Sequence, residues 1–480
     1  MKIKKYFIAI LFAIFFFLVL TGCPAKFIVD TNNPYDGVPL TVSENFAPNE
    51  SWTFMIYLDG DNNLEPAAIE DFNEMISGLN GLGNPNINVI VLMDKASIDD
   101  TKLYEINQSN SYTMLDGSVY NLPSDTGNIE LNMGDPNTLK NFINYCKNIH
   151  SSQHYALILW NHGGGARSKD ISANNNNLLK AVCWDETDNN DCLYLDEVQQ
   201  ALTDADFNSS TKLDFIGFDA CLMGTVEVAY EFRDLALVMA GSMATEWGDG
   251  WDYDALFKGM ALGSNNDPKE LGKLVVKTYH DSTSSEFNQT QAAIDLTKIS
   301  DLKDFIYNLA VSLYYENKKS DIEILRDKAI HFYDSDEDSI NYPYFDLNDI
   351  AYQILGNAGF FSTASINNAR DIIDTLSNVI IAAYAGSNYG NYYGYGSDVK
   401  RGLSIFFSRG NLTFTYNNNN YSHYASQWWY TNVDTNQWNL GSLYGKIDFA
   451  DSDTDGTVET WRELFEKWYD PTNTYTPSSY

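Results

Sequence analysis

A histidine and a cysteine each follow a short apolar stretch of this chain, at points where strands are expected to end. The first motif reads Trp160-Asn161-His162-Gly163-Gly164-Gly165, and the second reads Phe218-Asp219-Ala220-Cys221-Leu222-Met223. A thiolate is the nucleophile of cysteine chemistry, and a neighbouring imidazole lowers the pKa of the thiol. His162 and Cys221 are therefore candidates for a catalytic pair.

The glycines after His162 fit the same chemistry, because residues without a side chain let the backbone approach a substrate carbonyl closely. We expect the backbone N–H of Gly163, with that of Cys221, to hold the oxyanion. Taken singly, a histidine after a strand is more often structural, and a cysteine in an apolar stretch is more often inert core. Their joint placement strengthens the case for catalysis and leaves a structural role as the alternative.

The elements that must position these residues follow an alternating pattern of strands and helices. An amphipathic helix is predicted after Pro66 and another over 139–149, from apolar residues spaced three and four apart. Alternation of this kind predicts an α/β domain with a mostly parallel sheet and functional residues at the carboxyl ends of the strands. Nearly continuous apolar runs predict buried strands at 52–58, 87–93, 155–160, 213–218 and 235–240.

The pattern changes after residue 265. Helical periodicity near 267–281, 298–318 and 363–385 alternates with irregular sequence, and 402–407 reads as a short apolar strand. We therefore predict a smaller α+β C-terminal accessory region. The predicted organisation is a signal peptide at 1–22, a tether at 23–50, the catalytic domain at 51–265 and the accessory region at 266–480.

The N-terminus has the features of a targeting segment. Three lysines lie within the first five residues, and an apolar run follows over 6–20. This run is short for a membrane span and typical of a signal peptide. The sequence Leu20-Thr21-Gly22-Cys23 resembles a bacterial lipobox, in which Cys23 is acylated and becomes the mature N-terminus. We expect a lipid-anchored, extracytoplasmic protein of the cell envelope; the alternative is an ordinary signal peptide with a chance cysteine.

Composition and charge exclude several classes of function. The 480 residues include 65 acidic and 30 basic side chains, which gives a net charge of −35. Such a charge argues against nucleic-acid binding and against electrostatic docking on anionic lipid, and it fits polycationic substrates. Five scattered cysteines do not make a disulfide framework in a chain of this length. Whether Cys183 and Cys192 pair is left open.

Several ordered motifs of the chain resemble the clostripain family of cysteine peptidases, which have a caspase-like fold. The resemblance implies that His162 is the catalytic imidazole and that Cys221 is the nucleophile. It also implies that Asp219 helps to form a pocket for Arg or Lys before the cleaved bond of a polypeptide substrate. A carboxylate two residues from the nucleophile would pair with a basic side chain; alternatively, it caps the following helix. The matching segments are 52–65, 157–165, 214–224, 246–253 and 402–407.

The segment between the two motifs is a candidate site of self-processing. Residues 166–180 are polar, rich in Asn and without periodicity, which predicts an exposed loop. Arg167, Lys169 and Lys180 match the basic preference above, and the resemblance implies that enzymes of this family can be activated by cleavage between the His and Cys motifs. The alternative is a surface loop that is never cut in the cell.

An acidic stretch near the C-terminus resembles the start of a calcium-binding loop. Asp451, Asp453 and Asp455 occupy the first, third and fifth positions, and Gly456 occupies the sixth. The twelfth position is Arg462 rather than an acidic ligand, so an acidic turn before the last helix is the alternative. Thiol chemistry itself requires no cofactor, and calcium enters only as a candidate at this loop.

Two other functions compete with a membrane-anchored cysteine endopeptidase. The first is a catalytically silent surface lipoprotein that binds protein or glycan, for which the Tyr- and Asn-rich segment 387–430 would suit a binding surface. The presence of both His162 and Cys221 discriminates against it. The second is a serine esterase that uses the glycines as an oxyanion loop, but the sequence has no Gly-x-Ser-x-Gly elbow.

Overall fold

A computed structural model describes most of the chain after residue 44. All the described residues belong to one compact unit that begins at Gly37. They comprise 45–166, 182–246, 248–333, 343–395, 401–408, 413–416, 419–422, 431–432, 437–438, 444–451 and 457–469.

A ten-stranded sheet forms the centre of this unit, in the strand order β13-β12-β10-β9-β8-β5-β1-β2-β3-β4. The five middle strands, from β9 to β2, run parallel, whereas the flanking strands pair in antiparallel fashion. These ten strands are β1 (Trp52–Gly60), β2 (Ile87–Lys95), β3 (Lys102–Asn107), β4 (Ser111–Met114), β5 (His154–Trp160), β8 (Leu213–Asp219), β9 (Ala236–Gly241), β10 (Thr290–Asp295), β12 (Ile380–Ala385) and β13 (Tyr392–Tyr395).

Four small two-stranded sheets accompany the large one. Two of them bear on the candidate site: β6 pairs with β7, and β11 pairs with β14. Their strands, with the two remaining pairs, are β6 (Val182–Asp185), β7 (Asp191–Leu193), β11 (Tyr344–Asp346), β14 (Ser404–Phe406), β15 (Thr413–Tyr416), β16 (Asn419–Ser422), β17 (Thr431–Asn432) and β18 (Gln437–Trp438).

Helices cover both faces of the large sheet. The faces are distinguished along β1, where Met55 and Tyr57 pack into one apolar core while Phe54 and Ile56 pack into the other. This alternation follows from the period of two along a strand and produces three layers, helix, sheet and helix. The helices are α1 (Glu65–Leu79), α2 (Pro136–Ile149), α3 (Leu195–Asp204), α4 (Val226–Glu231), α5 (Tyr253–Lys258), α6 (Pro268–Thr283), α7 (Ile299–Tyr315), α8 (Lys319–Arg326), α9 (Leu347–Gly356), α10 (Thr363–Val379) and α11 (Trp461–Tyr469).

The α/β class with a mostly parallel sheet is confirmed, and all five predicted strands before residue 265 are present. The helix predicted over 363–385 is wrong in its last six residues, because α10 ends at Val379 and β12 begins at Ile380. A run of β-branched residues at this point favours extended backbone. Residues after 265 contribute β10, β12 and β13 to the large sheet, so the sheet crosses the predicted boundary.

The segments predicted as signal peptide and tether lie outside the described residues, apart from 45–50. Within the part of the chain that the structure describes, no helix combines the length and apolar character of a membrane span.

Candidate active site

The His162 and Cys221 motifs lie side by side at the carboxyl ends of two neighbouring parallel strands. β5 pairs with β8 up to Trp160 and Asp219, and the backbone N–H of Asn161 donates to the carbonyl of Asp219 over 3.2 Å. Two residues further along each strand, Gly163 packs against the backbone of Cys221. A Cβ built on Gly163 would lie 2.1 Å from the carbonyl oxygen of Cys221. Only glycine fits this approach, and it brings the predicted imidazole and thiol motifs together.

The imidazole of His162 is half-buried and is held by Asn63, which lies beyond the end of β1. Nε2 of His162 lies 2.9 Å from Oδ1 of Asn63. With that oxygen as acceptor, Nε2 carries the hydrogen, and Nδ1 of the neutral ring is the atom able to take up a proton. The ring also lies 5.9 Å from the indole of Trp184, measured between centroids. The orientation of the imidazole is thus set by two side chains from outside its own motif.

Asn161 fixes the backbone that carries this imidazole. Its amide nitrogen Nδ2 donates to both the carbonyl oxygen and Oδ2 of Asp59, over 2.8 and 2.6 Å. The same nitrogen reaches the carbonyl of Trp184 over 3.1 Å, and the Asn161 side-chain oxygen accepts from the backbone N–H of His162. One buried amide therefore connects β1, β5 and β6 immediately before His162.

The thiol of Cys221 lies in a half-buried position directly after β8 and faces backbone donors. The backbone N–H of Glu246 donates to Sγ over 3.2 Å. Burial raises the pKa of the Cys221 thiol to about 12, although the N–H groups of Glu246 and Gly163 favour the thiolate. The resting thiol is therefore protonated near neutral pH, and it needs a base to become a nucleophile.

The residue after the cysteine has an unusual backbone. Leu222 has a φ of 64°, a region that residues with a side chain rarely adopt. Its N–H donates to the carbonyl of Ala244 over 3.0 Å, which holds the turn in place. Residues with such strained backbone angles are found most often at functional sites, where the surrounding structure holds them in place.

Asp219 is buried at the end of β8, two residues before the thiol. Its Oδ2 accepts from the hydroxyl of Tyr253 over 2.9 Å and from the backbone N–H of Trp251 over 3.2 Å. The alternative that Asp219 caps the following helix is wrong, because Thr225 is the N-cap of α4 and accepts from the N–H of Val228.

Two further buried carboxylates lie close to Asp219. A Cβ built on Gly250 would lie 3.0 Å from Oδ2 of Asp71 and 3.1 Å from both carboxylate oxygens of Asp219, so the two acids face one point. Burial, followed by the charge of Asp219, raises the pKa of both Asp71 and Glu246. Burial also raises the pKa of Asp219 itself, to about 7. We call Asp71, Asp219 and Glu246 the acidic cluster.

No lysine, arginine or histidine among the described residues forms an ion pair with the acidic cluster. Buried carboxylates without a counter-charge are costly, so they accumulate where a cation is to be bound or a proton retained. Next to a thiol, this arrangement can receive the basic side chain of a substrate.

The glycine loop after His162 rests on a tyrosine from the last third of the chain. The hydroxyl of Tyr344 accepts from the N–H of Ala166 over 3.0 Å and lies 3.4 Å from the carbonyl of Gly164. Gly165 has a φ of 77°, and a Cβ on it would lie 2.2 Å from that hydroxyl. β11 therefore braces the loop that follows the imidazole.

The remaining predicted site residues divide into two groups. Cys183 and Cys192 are both buried, and no disulfide joins them in the structure. Asp451 is exposed, with a φ of 37°. The lipidation residue Cys23, the processing candidates Arg167, Lys169 and Lys180, and the metal candidates Asp453 and Asp455 lie outside the described residues.

Sequence reasoning missed most of the residues that support the site. Asn63 and Glu246 lie in segments noted only for their family resemblance, and the Asn161 side chain was given no role. Asp71 and Tyr344 carry no local signal, because their partners are far away along the chain: Asp71 bonds to Trp160, and Tyr344 bonds to the glycine loop.

Comparisons with known proteins converge on one family. Residues 56–461 match the sequence model described as the Clostripain family. The clostripain of Hathewaya histolytica is 35% identical over 502 aligned positions, which cover 93% of this chain and 92% of that protein. Among solved structures, a secreted C11 cysteine protease from Bacteroides thetaiotaomicron in complex with an irreversible peptide inhibitor has a TM-score of 0.53 at 20% identity, over 75% of this chain and 94% of that one.

The solved structure of an inactive zymogen C11 protease from Parabacteroides distasonis is similar to this chain to about the same degree. Its TM-score is 0.52 at 19% identity, over 75% of this chain and 92% of that one. At this level of identity the two structures establish a shared fold.

Proposed function

Because this chain belongs to the clostripain family of cysteine peptidases, we propose that it is an endopeptidase that uses Cys221 as nucleophile and His162 as base to cleave after Arg or Lys. The observation that supports this specificity best is the acidic cluster next to the thiol. It has three buried carboxylates and no basic partner among the described residues.

The proposed reaction begins with a proton transfer. His162 takes the proton from Sγ of Cys221, and the thiolate attacks the carbonyl carbon of the substrate. The backbone N–H groups of Gly163 and Cys221 stabilise the oxyanion of the tetrahedral intermediate. The imidazolium then gives its proton to the leaving amine, which leaves a thioester. Water, deprotonated by the same imidazole, hydrolyses the thioester and restores the thiol.

The proposed specificity follows from charge. A lysine or arginine side chain that enters beside Asp219 would form an ion pair with its ionised carboxylate. This carboxylate already accepts hydrogen bonds from the hydroxyl of Tyr253 and the backbone N–H of Trp251. A charge-assisted pair in a buried place discriminates strongly against a neutral side chain, because the neutral side chain leaves the carboxylate unpaired. Asp71 and Glu246 do not touch the substrate directly in this proposal, and they would add negative potential only once ionised, because their pKa values are raised by burial and by the charge of Asp219.

The decisive experiment measures hydrolysis of fluorogenic peptides that differ only in the residue before the cleaved bond. We expect turnover for Arg and Lys, and at least a hundredfold lower kcat/KM for Leu. Cys221→Ala should abolish hydrolysis and His162→Ala should cost nearly as much, since the two act as a unit. Cys146→Ala is the matched control, because that buried thiol lies on α2 and belongs to neither motif.

Labelling separates catalysis from the alternative of a silent binding protein. A thiol alkylator should label Cys221 ahead of Cys146, which is fully buried in an apolar core. Selective labelling with loss of peptide hydrolysis supports the proposal. Full activity in Cys221→Ala, or equal turnover of Leu and Arg peptides, would refute the corresponding part of it.

We also propose that Cys23 is acylated and anchors the enzyme outside the cytoplasm. The lipobox sequence Leu20 to Cys23 after a charged and apolar leader supports this. Cys23→Ser should move the protein from the membrane fraction to the soluble fraction. Unchanged membrane retention together with no incorporated lipid label would contradict acylation at this site.

Self-processing between the two motifs is part of the same proposal. N-terminal sequencing of the active enzyme should find a new start after Arg167, Lys169 or Lys180, while Cys221→Ala should stay intact. If the wild type is fully active as a single chain, processing is not required. If the Cys221→Ala protein is cut equally, another protease makes the cut.

A further inference from the structure

The small sheet formed by β11 and β14 contacts both loops that carry the proposed catalytic pair. Its two strands are antiparallel, with Tyr344 opposite Phe406 and Asp346 opposite Ser404. All the residues of both strands are fully buried. Both strands belong to the region that the sequence predicts to be accessory, yet each of them contacts one of the two loops. We call this pair of strands the β11–β14 sheet.

Strand β11 holds the loop that follows His162. The hydroxyl of Tyr344 accepts from the N–H of Ala166 over 3.0 Å and donates to the carbonyl of Gly164 over 3.4 Å. Between these two contacts, Gly165 has a φ of 77°, and the backbone turns around the hydroxyl. One buried hydroxyl therefore fixes the backbone two to four residues after the imidazole.

Strand β14 holds the loop that follows Cys221. The backbone N–H of Ser404 donates to the carbonyl of Gly224 over 3.0 Å, and the hydroxyl of Ser404 donates to the same carbonyl over 3.3 Å. The next residue of the loop, Thr225, forms a parallel bridge with Ser404. Two donors from one residue of β14 thus fix the backbone three residues after the thiol.

A buried glutamate adds a second attachment on the Cys221 side. Glu227 lies in the first turn of α4, the helix that follows the Cys221 loop. Its Oε1 accepts from the N–H of Phe406 over 2.8 Å and from the hydroxyl of Tyr444 over 3.0 Å. Alternate residues of a strand direct their N–H groups to the same edge, so Ser404 and Phe406 both donate toward the Cys221 side.

Other parts of the chain hold the β11–β14 sheet in place. The N–H of Phe332 donates to the carbonyl of Tyr344 over 3.0 Å, and the N–H of Asp346 donates to the carbonyl of Ile330 over 2.8 Å. On the other strand, the indole N–H of Trp461 on α11 donates to the carbonyl of Phe406 over 2.7 Å. The contacts to the two loops therefore come from one firmly packed element.

We propose that the β11–β14 sheet sets the separation of His162 and Cys221, with Tyr344 and Ser404 as positioning residues for the proton transfer. Both act through the backbone of the loops. Transfer of the proton from Sγ to the imidazole depends steeply on distance, since a shift of about 1 Å in a reacting group can cost about a hundredfold in rate. This inference rests on the proposed function, because it requires His162 and Cys221 to be the reacting pair.

The first test is Tyr344→Phe, which removes the hydroxyl and keeps the ring that fills the buried space. We expect kcat for an Arg peptide to fall roughly tenfold and KM to change less than about twofold, because the acidic cluster is untouched. Tyr155→Phe is the matched control and should behave as wild type. The hydroxyl of Tyr155 likewise accepts from a backbone N–H, that of Ser152, over 2.9 Å and lies 3.4 Å from the carbonyl of His150, at the opposite end of β5.

A second readout separates positioning from a merely structural role. The rate at which iodoacetamide alkylates Cys221, followed by mass spectrometry across a range of pH, reports the thiolate form without using the substrate pocket. An imidazole that is displaced from the thiol stabilises the thiolate less, so Tyr344→Phe should move the midpoint of this pH profile upward by about half a unit or more. A hydroxyl that only stabilises the fold would lower the midpoint of thermal unfolding and leave the profile unchanged.

A folded Tyr344→Phe protein with wild-type kcat, or with an unchanged alkylation profile, overturns the proposal. A change confined to KM also overturns it, because the hydroxyl would then serve substrate binding. If Tyr344→Phe fails to fold, Ser404→Ala takes its place, since it removes only the hydroxyl that donates to Gly224. It should lower kcat roughly threefold, and an unchanged kcat would overturn the proposal.

Failure of the proposed function itself gives a different result. In that case the wild-type protein does not hydrolyse the Arg peptide, or Cys221→Ala remains active, and the inference fails together with the catalytic pair. Hydrolysis by the wild type that is lost in Cys221→Ala but unaffected in Tyr344→Phe rejects the positioning role alone.

Discussion

Oδ1 of Asn63 lies 2.9 Å from Nε2 of His162, and this contact joins the end of the first strand to the proposed base. The amide fixes both the rotation of the imidazole and the nitrogen that carries its hydrogen. A ring held in this way presents Nδ1 as the proton acceptor, and no further conformational entropy is lost in orienting it during the reaction.

Asn63→Ala should therefore lower kcat by roughly 10–100-fold with a small change in KM, since the imidazole loses its orienting partner but the acidic cluster is untouched. Steady-state kinetics with an Arg peptide measures this. Asn73→Ala, on the exposed side of α1, is the control and should behave as wild type. A change confined to KM would contradict the orienting role.

Gly163→Ala should nearly abolish activity. A Cβ at this position would lie 2.1 Å from the carbonyl of Cys221, so the two loops must separate and the proposed oxyanion donors lose their alignment. We expect a loss of kcat/KM of about a hundredfold or more. Gly359→Ala has nothing within 4 Å of the added methyl group and serves as the control. Wild-type kinetics in Gly163→Ala would show that the close approach is not required.

The preference for basic residues should depend on pH. Burial raises the pKa of Asp219 to about 7, so this carboxylate is mostly charged at pH 8 and mostly neutral at pH 6. The ratio of kcat/KM for Arg over a neutral peptide should fall by roughly tenfold between these pH values. Titration of the thiol or imidazole affects both peptides alike and cancels in the ratio. Asp219→Asn should give a low ratio that does not vary with pH.

Asp71 should destabilise the folded protein above about pH 4, because its carboxyl group is buried beside Asp219. Burial raises the pKa of Asp71, so above about pH 4 the unfolded chain loses this proton while the folded chain retains it. Stability is therefore lost as the pH rises past the ordinary aspartate pKa. Asp71→Asn should increase the free energy of unfolding by about 1–3 kcal/mol at pH 8 and have little effect at pH 3.5.

Thermal unfolding at the two pH values measures this difference. The side-chain oxygen of an asparagine at position 71 can still accept from the indole of Trp160, which now donates to Asp71 over 2.6 Å. Asp304→Asn, which removes an exposed charge on α7, is the matched control for loss of charge. An equal gain in the stability of Asp71→Asn at both pH values would show that packing, rather than charge, is responsible.

The sequence predicts where the proposed catalytic pair lies, but it does not predict the residues that support the pair. Both motifs directly follow continuous apolar runs, and parallel strands bring their carboxyl ends to one edge, so His162 and Cys221 were predictable from local pattern. Asp71 and Tyr344 were not predictable, because each acts on a segment about 90 or more residues away. Contacts of that kind depend on the order of the strands in the sheet, which cannot be read from a single sequence.

The C-terminal elements show the same limit. The end of α10 was missed because Ile380 and Ile381 continue an apolar pattern that also suits a helix, and pairing with β10 and β13 selects the strand. β10 was missed because it contains two alanines and few large apolar residues. Tertiary pairing decides such segments, and local propensity does not.

The parallel pairing of β5 with β8 has a consequence for the proposed cut between Arg167 and Lys180. A cut anywhere in that segment leaves β5 in one fragment and β8 in the other. The interface between the two fragments therefore runs through the middle of the large sheet. The two strands at this interface are buried, β5 from Ala156 to Trp160 and β8 from Phe215 to Asp219. Cleavage therefore yields two interlocked polypeptides that stay together, whereas pieces synthesised separately would each expose an unpaired central edge and aggregate.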